Sequence, residues 1–355
     1  MAEAAPVAPF PTGWRGIAIR CALGGLRASL MVSPRPTVWV IRRYFAHSGR
    51  LLADSLRVEA PPGVAAILDE PYDGDPDARL DVFFPDAAGS DGRRLPTVVW
   101  THGGGFVGGS KDEIRDYLRR VAAAGFTAVG VNYTLAPAAT YPTPVRQVMA
   151  ALRHLDNNAD RLHADPTRLV LAGDSAGAQI TAQVAAVGSD AGYAQRLGVE
   201  PAISAGQLRG VALCCGIFDL DLMSADSPLK DFVWAMAWAY SGTRDYRRND
   251  FFTSTMPVTK AVTSAFPPTF ITAGNADPLL AHSRALASAL ESKGVTVETL
   301  FYPSDHRPGL GHEYQFDLSL GDGRAALQRL IAFFGRCTDR NKSGAALDSG
   351  AEKHG

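Results

Sequence analysis

Gly173-Asp174-Ser175-Ala176-Gly177 is the stretch with the clearest chemistry, because it spaces a serine between two glycines in the pattern G-x-S-x-G. Residues 168–172 before it are a short apolar run that suits a buried strand, and residues 178–187 after it are alanine-rich in a helical pattern. Strand, sharp turn, serine and helix in that order are the context of a nucleophile elbow, with the hydroxyl exposed above the end of a sheet. So tight a turn leaves no room for a Cβ at Gly173 or Gly177. The N–H of Ala176, at the helix start, faces the place where an oxyanion would form. An ordinary N-cap serine would fit the same five residues, so partners elsewhere in the chain must decide.

A serine hydroxyl is a weak nucleophile at neutral pH; it needs a base to take its proton and an acid to orient that base. The acid is expected at Asp277: the apolar run 268–273 leads directly into Gly274-Asn275-Ala276-Asp277-Pro278-Leu279, a loop past a strand end. Its competing role is an N-cap for the helix that starts near Leu280. Two histidines follow the next strand, 295–302. His312, between Gly311 and Glu313, is favoured as the base, and His306, in the turn Ser304-Asp305-His306-Arg307, stands as the alternative. A second motif, His102-Gly103-Gly104-Gly105, follows the apolar run 96–101. Glycines there let the backbone approach a tetrahedral intermediate, so Gly104, Gly105 and Ala176 are the expected oxyanion donors. His102 is expected to hold the loop by hydrogen bonding rather than to titrate.

These positions need a scaffold that delivers them to one end of a sheet. Strand patterns fall at 64–72, 79–84, 96–101, 127–132, 168–172, 211–215, 268–273 and 295–302. Helical patterns fall at 37–52, after a break at Pro34 and Pro36, and at 111–124, 143–156, 178–187, 282–293 and 323–334, while 86–94 reads as a polar loop. After the opening strand pair the two kinds alternate, which demands right-handed crossovers and a mostly parallel eight-stranded sheet with helices on both faces. The expected organisation is a tail with cap helices over 1–60, a catalytic domain over 61–336 and a disordered tail over 337–355. Residues 216–265 are too long for a connector and read as an inserted helical cap. Within it Phe232, Trp234, Met236 and Trp238 are expected to shape a substrate pocket, plain packing of the cap being the other reading.

Composition excludes several function classes. The 35 basic residues nearly cancel the 36 acidic ones, a net charge of −1 that carries no electrostatic footprint for nucleic acid. Cys21, Cys214, Cys215 and Cys337 suit neither a disulfide framework nor a metal site, which points to a reducing, cytoplasmic setting. No ligand spacing supports a metal among Asp305, His306, His312 and Glu313. No apolar run is long enough for a membrane span; Ile19, Leu23, Leu26 and Leu30 share one helical face, which reads as packing on the main domain or as a membrane-surface contact. Oligomeric state is not readable from these patterns.

His102-Gly103-Gly104-Gly105-Phe106, Tyr133-Thr134-Leu135-Ala136-Pro137, Gly173-Asp174-Ser175-Ala176-Gly177 and Asp277-Pro278-Leu279 together resemble the hormone-sensitive-lipase-like carboxylesterases of the α/β-hydrolase fold. The chain departs from that family at Thr134 and Ala138, where its motif carries arginine and glutamate. The resemblance covers roughly residues 64–334. It implies a Ser175–His312–Asp277 triad, the three backbone donors named above and a cap built from the N-terminal helices and the insert after Cys215. The implied reaction is hydrolysis of small-molecule acyl esters, short to medium in chain length, through an acyl-enzyme and without a cofactor. Amide or formamide hydrolysis is the near alternative, and a non-catalytic small-molecule receptor on the same fold the distant one.

Overall fold

A computed structural model of the chain describes Gly25, Ser29 and residues 31–204, 206–223 and 230–339. The beginning of the expected N-terminal tail, the face formed by Ile19, Leu23, Leu26 and Leu30, and residues 340–355 lie outside the described residues, whereas Cys337 and Thr338, expected in the disordered tail, end the last helix. Strands β1 (Val64–Pro71), β2 (Arg79–Pro85), β3 (Leu95–Thr101), β4 (Thr127–Val131), β5 (Ala164–Asp174), β6 (Leu208–Cys214), β7 (Thr269–Ala273) and β8 (Val297–Phe301) form one sheet of eight, in the order β1-β2-β4-β3-β5-β6-β7-β8. β2 runs antiparallel to both its neighbours, and every other pair is parallel. The central strands are mainly apolar and buried along nearly their whole length because both faces are covered.

Ten helices accompany the sheet: α1 (Arg35–Arg57), α2 (Asp86–Asp91), α3 (Arg115–Ala123), α4 (Thr143–Asn157), α5 (Ser175–Ser189), α6 (Ala191–Leu197), α7 (Lys230–Ser241), α8 (Asp250–Thr255), α9 (Leu280–Ser292) and α10 (Gly321–Thr338), counted among the described residues. Tyr117, Leu118 and Val121 of α3 and Leu330 and Phe334 of α10 bury against one face. Val145, Val148 and Leu152 of α4, Ile180 and Val184 of α5, and Leu286 and Leu290 of α9 bury against the other. α5 is buried on all sides from Ser175 to Val187, which its small residues permit.

Two expectations are corrected. Residues 86–94 are not all loop: Asp86–Asp91 is a short helix that Gly92 ends in a left-handed conformation, its N–H bonded back to the Ala88 carbonyl. The helix after Pro34 begins at Arg35 rather than beyond Pro36, since proline is tolerated in a first turn whose N–H has no intrahelical partner. α1 packs against α7, the turn at Lys111–Ile114 and α3. Arg42 fastens it there by donating from Nε to the Val107 carbonyl at 2.7 Å and from Nη2 to that of Ala136 at 2.9 Å. Among the described residues no helix is long and apolar enough to cross a membrane.

An ion cluster around a buried lysine holds the segment that follows the glycine loop. Lys111, whose side chain is fully shielded, places Nζ 2.7 Å from Asp69, 2.8 Å from Asp81 and 3.0 Å from Asp112. Its backbone N–H donates to Asn132 Oδ1 at 2.7 Å, tying the segment to the end of β4.

Candidate active site

Ser175 stands at the junction of β5 and α5 with φ +49°, a left-handed conformation that costs a non-glycine residue about 1–3 kcal/mol. The turn has the steric demand its glycines suggest. A Cβ on Gly177 would strike the Thr101 carbonyl oxygen, and one on Gly173 would lie 2.6 Å from Thr181 Oγ1 and 2.7 Å from Gly177. The N-cap of α5 is Asp174, not the serine, and Ser175 Oγ turns instead to His312.

Three elements bring the polar groups together. Ser175 Oγ lies 2.9 Å from His312 Nε2, and His312 Nδ1 lies 3.0 and 3.1 Å from the two carboxylate oxygens of Asp277. Asp277 follows β7 and His312 follows β8, so both reach Ser175 across the carboxyl ends of neighbouring strands. Asp277 also accepts from the Leu279 N–H at 2.7 Å; its turn-forming role and its contact with His312 coexist. The segment 303–311 is pinned back onto the Asp277 loop by Ala276 N–H to the Leu310 carbonyl at 2.9 Å and by Leu310 N–H to Asn275 Oδ1 at 2.8 Å. A Cβ on Gly274 would collide with the Leu310 carbonyl and break this clasp. His306 points elsewhere, with Nε2 3.1 Å from Asp322 and its ring against Tyr302.

The glycine loop faces the serine. Gly104 and Gly105 have φ +104° and +59°, and a Cβ on Gly104 would strike the Gly108 carbonyl. Their backbone N–H groups have no acceptor among the described residues, and neither does that of Ala176 in the first turn of α5. Asp174 fixes the loop to the elbow: Oδ1 accepts from Trp100 Nε1 at 2.7 Å and Oδ2 from the Gly103 N–H at 2.8 Å. Sequence reasoning missed this role, although Asp174 occupies the variable second place of the serine motif. His102 holds its own turn, Nδ1 lying 2.7 Å from the Gly103 carbonyl while the ring stacks on Tyr133 at 4.6 Å. Burial pushes its pKa down to about 4, so it stays neutral.

Two cavities meet at Ser175. A small one of about 100 Å³ is walled by apolar groups, among them Phe106, Val233, Met236, Tyr240 and Phe252, and also touches Gly105 and Ala176. A larger one of about 580 Å³ extends under α1 and is bounded by His312, Glu113 and Glu313 as well as by Phe45 and Leu52. Met236 divides them. The structure brings neither Trp234 nor Trp238 to either cavity. Positions 233, 236, 237 and 240 form one face of α7, and 234 and 238 form another, where Trp234 Nε1 donates to the Arg244 carbonyl at 2.8 Å and both rings pack on the Arg244 guanidinium. Phe232 lies on α7, and its side chain lies outside the described residues.

For His312, burial disfavours the charged form, while Cys215, Asp277 and Glu313 favour it; the balance raises the pKa well above the ordinary value. Cys215, at φ +46° after β6, is a buried thiol whose pKa burial pushes up to about 11. Burial and the neighbouring Glu313 carboxyl raise the pKa of Asp174 well above the carboxylate range. Among the described residues, two groups of side chains have metal-ligating types close together. In one, Asp69, Asp81 and Asp112 surround the Lys111 ammonium; in the other, Asp277 and His312 are already bonded to each other beside Cys215.

Comparison with known proteins gives a consistent picture. A family model described as alpha/beta hydrolase fold matches residues 98–314. Carboxylesterase NlhH of Mycobacterium tuberculosis is 34% identical over 277 residues, which cover 73% of this chain and 81% of that protein. Among solved structures, an inhibited esterase B from Lactobacillus rhamnosis superposes with a TM-score of 0.76 at 20% identity, over 88% of this chain and 99% of that one. A hyperthermophilic esterase from the archaeon Pyrobaculum calidifontis gives a TM-score of 0.68 at 25% identity, over 90% of this chain and 97% of that one.

Proposed function

Since the chain belongs to the hormone-sensitive-lipase-like carboxylesterase family of the α/β-hydrolase fold and is a carboxylic ester hydrolase, we propose that it cleaves short acyl esters of small molecules through an acyl-enzyme on Ser175. His312 Nε2 takes the hydroxyl proton as Ser175 Oγ bonds to the ester carbonyl carbon. The N–H groups of Gly104, Gly105 and Ala176 donate to the oxyanion that forms. As this intermediate collapses, the ester C–O bond breaks and His312 gives its proton to the leaving alcohol. Water, deprotonated by His312, then attacks the acyl carbon, and Ser175 departs with its proton restored. Asp277 holds the imidazole with its proton on Nδ1 and steadies the imidazolium.

The observation that carries this reading is the continuous chain of contacts, 2.9 Å from Ser175 Oγ to His312 Nε2 and 3.0 Å from His312 Nδ1 to Asp277. The cavities divide the substrate. The group that protonates the leaving oxygen must lie beside it, so the alcohol portion occupies the larger cavity, which His312 lines. The acyl portion then fills the small apolar cavity beside Gly105 and Ala176, and its size favours short chains.

The test is hydrolysis of p-nitrophenyl butyrate by the intact chain and by Ser175→Ala, His312→Ala, Asp277→Ala and His306→Ala. The first three changes are expected to remove at least about a thousandfold of kcat and the fourth to leave it near that of the parent. Activity retained by Ser175→Ala, or lost only in His306→Ala, would refute the assignment.

A further inference from the structure

Resting on the serine-hydrolase roles just proposed, we infer that the alcohol portion of the substrate carries a cationic nitrogen, held between the carboxyl groups of Glu113 and Glu313. The larger cavity is a ligand site because the nucleophile and its base open into it; its charge pattern then says what kind of ligand. Its ionisable lining consists of Glu113, Asp174, Glu313 and Asp317 together with two imidazoles, and it contains no lysine or arginine. With the whole chain near neutrality at −1, this is a local bias rather than an acidic surface in general.

The neighbouring cations are spent elsewhere. Lys111 is enclosed by Asp69, Asp81 and Asp112, and Arg115 bonds to Asp81 at 3.2 Å and Asp112 at 2.7 Å. Glu113 has no ion-pair partner among the described residues, and the nearest basic nitrogen to Glu313 is His312 Nε2 at 3.8 Å. That nitrogen must be neutral to serve as a base. α1 makes room for the unpaired acid: a Cβ on Gly49 would overlap the Glu113 carboxyl carbon. Phe45 and Leu52 of the same helix add apolar wall. Carboxylates beside an aromatic and an aliphatic surface suit an alkylated ammonium, which is weakly hydrated and attracted to ring faces. Burial first, and Glu313 second, push the pKa of Glu113 up to about 7, the mark of an acid with no cation beside it.

The probe pair is butyrylcholine and 3,3-dimethylbutyl butyrate, the same ester shape with a quaternary carbon in place of nitrogen. The intact chain is expected to show a kcat/KM about tenfold or more higher for the cationic ester. Glu113→Gln and Glu313→Gln are each expected to lower that ratio severalfold. A measurement needing no variant is inhibition of the uncharged ester by choline against 3,3-dimethylbutan-1-ol, with choline the tighter inhibitor. The ratio of the two esters is also expected to rise between about pH 6 and 8 as Glu113 ionises. Deprotonation of the base His312 enters the rates of both esters alike and cancels in the ratio, and loss of the rise in Glu113→Gln separates Glu113 from the other groups that face it, Asp112, Glu313, Asp174, Asp317 and His102. A ratio near one or below, or equal inhibition by the two alcohols, would overturn the inference while leaving the serine chemistry intact. Hydrolysis of either ester that survives Ser175→Ala would overturn the catalytic reading and the inference with it.

Discussion

With the acyl group assigned to the small cavity beside Ser175 as proposed above, its volume predicts a measurable ceiling on acyl length. An apolar cavity of about 150 Å³ accommodates benzene, so the 100 Å³ here holds roughly four carbons. Each methylene that enters removes apolar surface from water and contributes about 0.8 kcal/mol, close to fourfold in kcat/KM. Past the capacity of the cavity, further methylenes force side chains off their rotamers at about 1–3 kcal/mol. The expected profile for alkanoate esters with one fixed alcohol therefore rises from acetate to about butyrate and falls steeply by octanoate. The wall that gives way most readily is Met236, which is half-buried and touches both cavities. Met236→Ala should join them and move the optimum to hexanoate or beyond, raising the octanoate-to-acetate ratio about tenfold or more. Its stability cost is expected near the lower end of the 2–5 kcal/mol range for truncating a buried methionine, read from urea unfolding. Initial rates at substrate concentrations below KM give the profile. A kcat/KM that keeps climbing through decanoate in the unaltered chain, or an optimum unmoved by Met236→Ala, would refute the assignment of this cavity to the acyl group.

Gly104→Ala and Gly105→Ala should differ. The first drives a Cβ into the Gly108 backbone and is expected to cost about 10²–10³ in kcat, whereas the second meets only the flexible end of Met236 and should cost less, as steady-state rates on a short-chain ester will show. On an uncharged ester, kcat/KM should rise with pH through a midpoint above 6.5: the raised pKa keeps His312 protonated, hence inactive as a base, at lower pH. A midpoint below about 6 would contradict the environment described for that imidazole. Lys111→Met should destabilise the chain by about 3–5 kcal/mol at neutral pH, measured by urea unfolding, because it leaves the buried Asp81 with Arg115 as its one cation among the described residues and the Asp69 N–H as a further donor.

The side chains proposed as catalytic could be picked out in the sequence because their motifs are local. A glycine on each side of Ser175, a run of glycines after His102 and a loop past a strand end at Asp277 can each be read within a few residues. The strands were legible for a similar reason, since an apolar run bounded by turn residues needs no partner to be recognised. What escaped depends on contacts distant in sequence. The apolar character of α7 continues around the helix, so nothing in its sequence says that 233, 236 and 240 rather than 234 and 238 face Ser175. The bond from Asp174 to Gly103 spans 71 residues, and Glu113 and Glu313 share a cavity although 200 positions separate their numbers. The choice between His306 and His312 turned on the clasp between Asn275 and Leu310, which directs the loop so that one ring meets Ser175 and the other meets Asp322. Strand β5 is longer than its apolar run because Ala164 and Asp165 pair with Leu95 and Pro96 before the register shifts.

The most direct test of the central claim is covalent capture of the nucleophile. The intact chain, incubated with a p-nitrophenyl alkylphosphonate of short chain, should gain the mass of one phosphonyl group as esterase activity disappears, and peptide mapping should place that group on Ser175. Ser175→Ala should take up none, and His312→Ala should react far more slowly. Stoichiometric labelling at another residue, or full loss of activity without label on Ser175, would contradict the account.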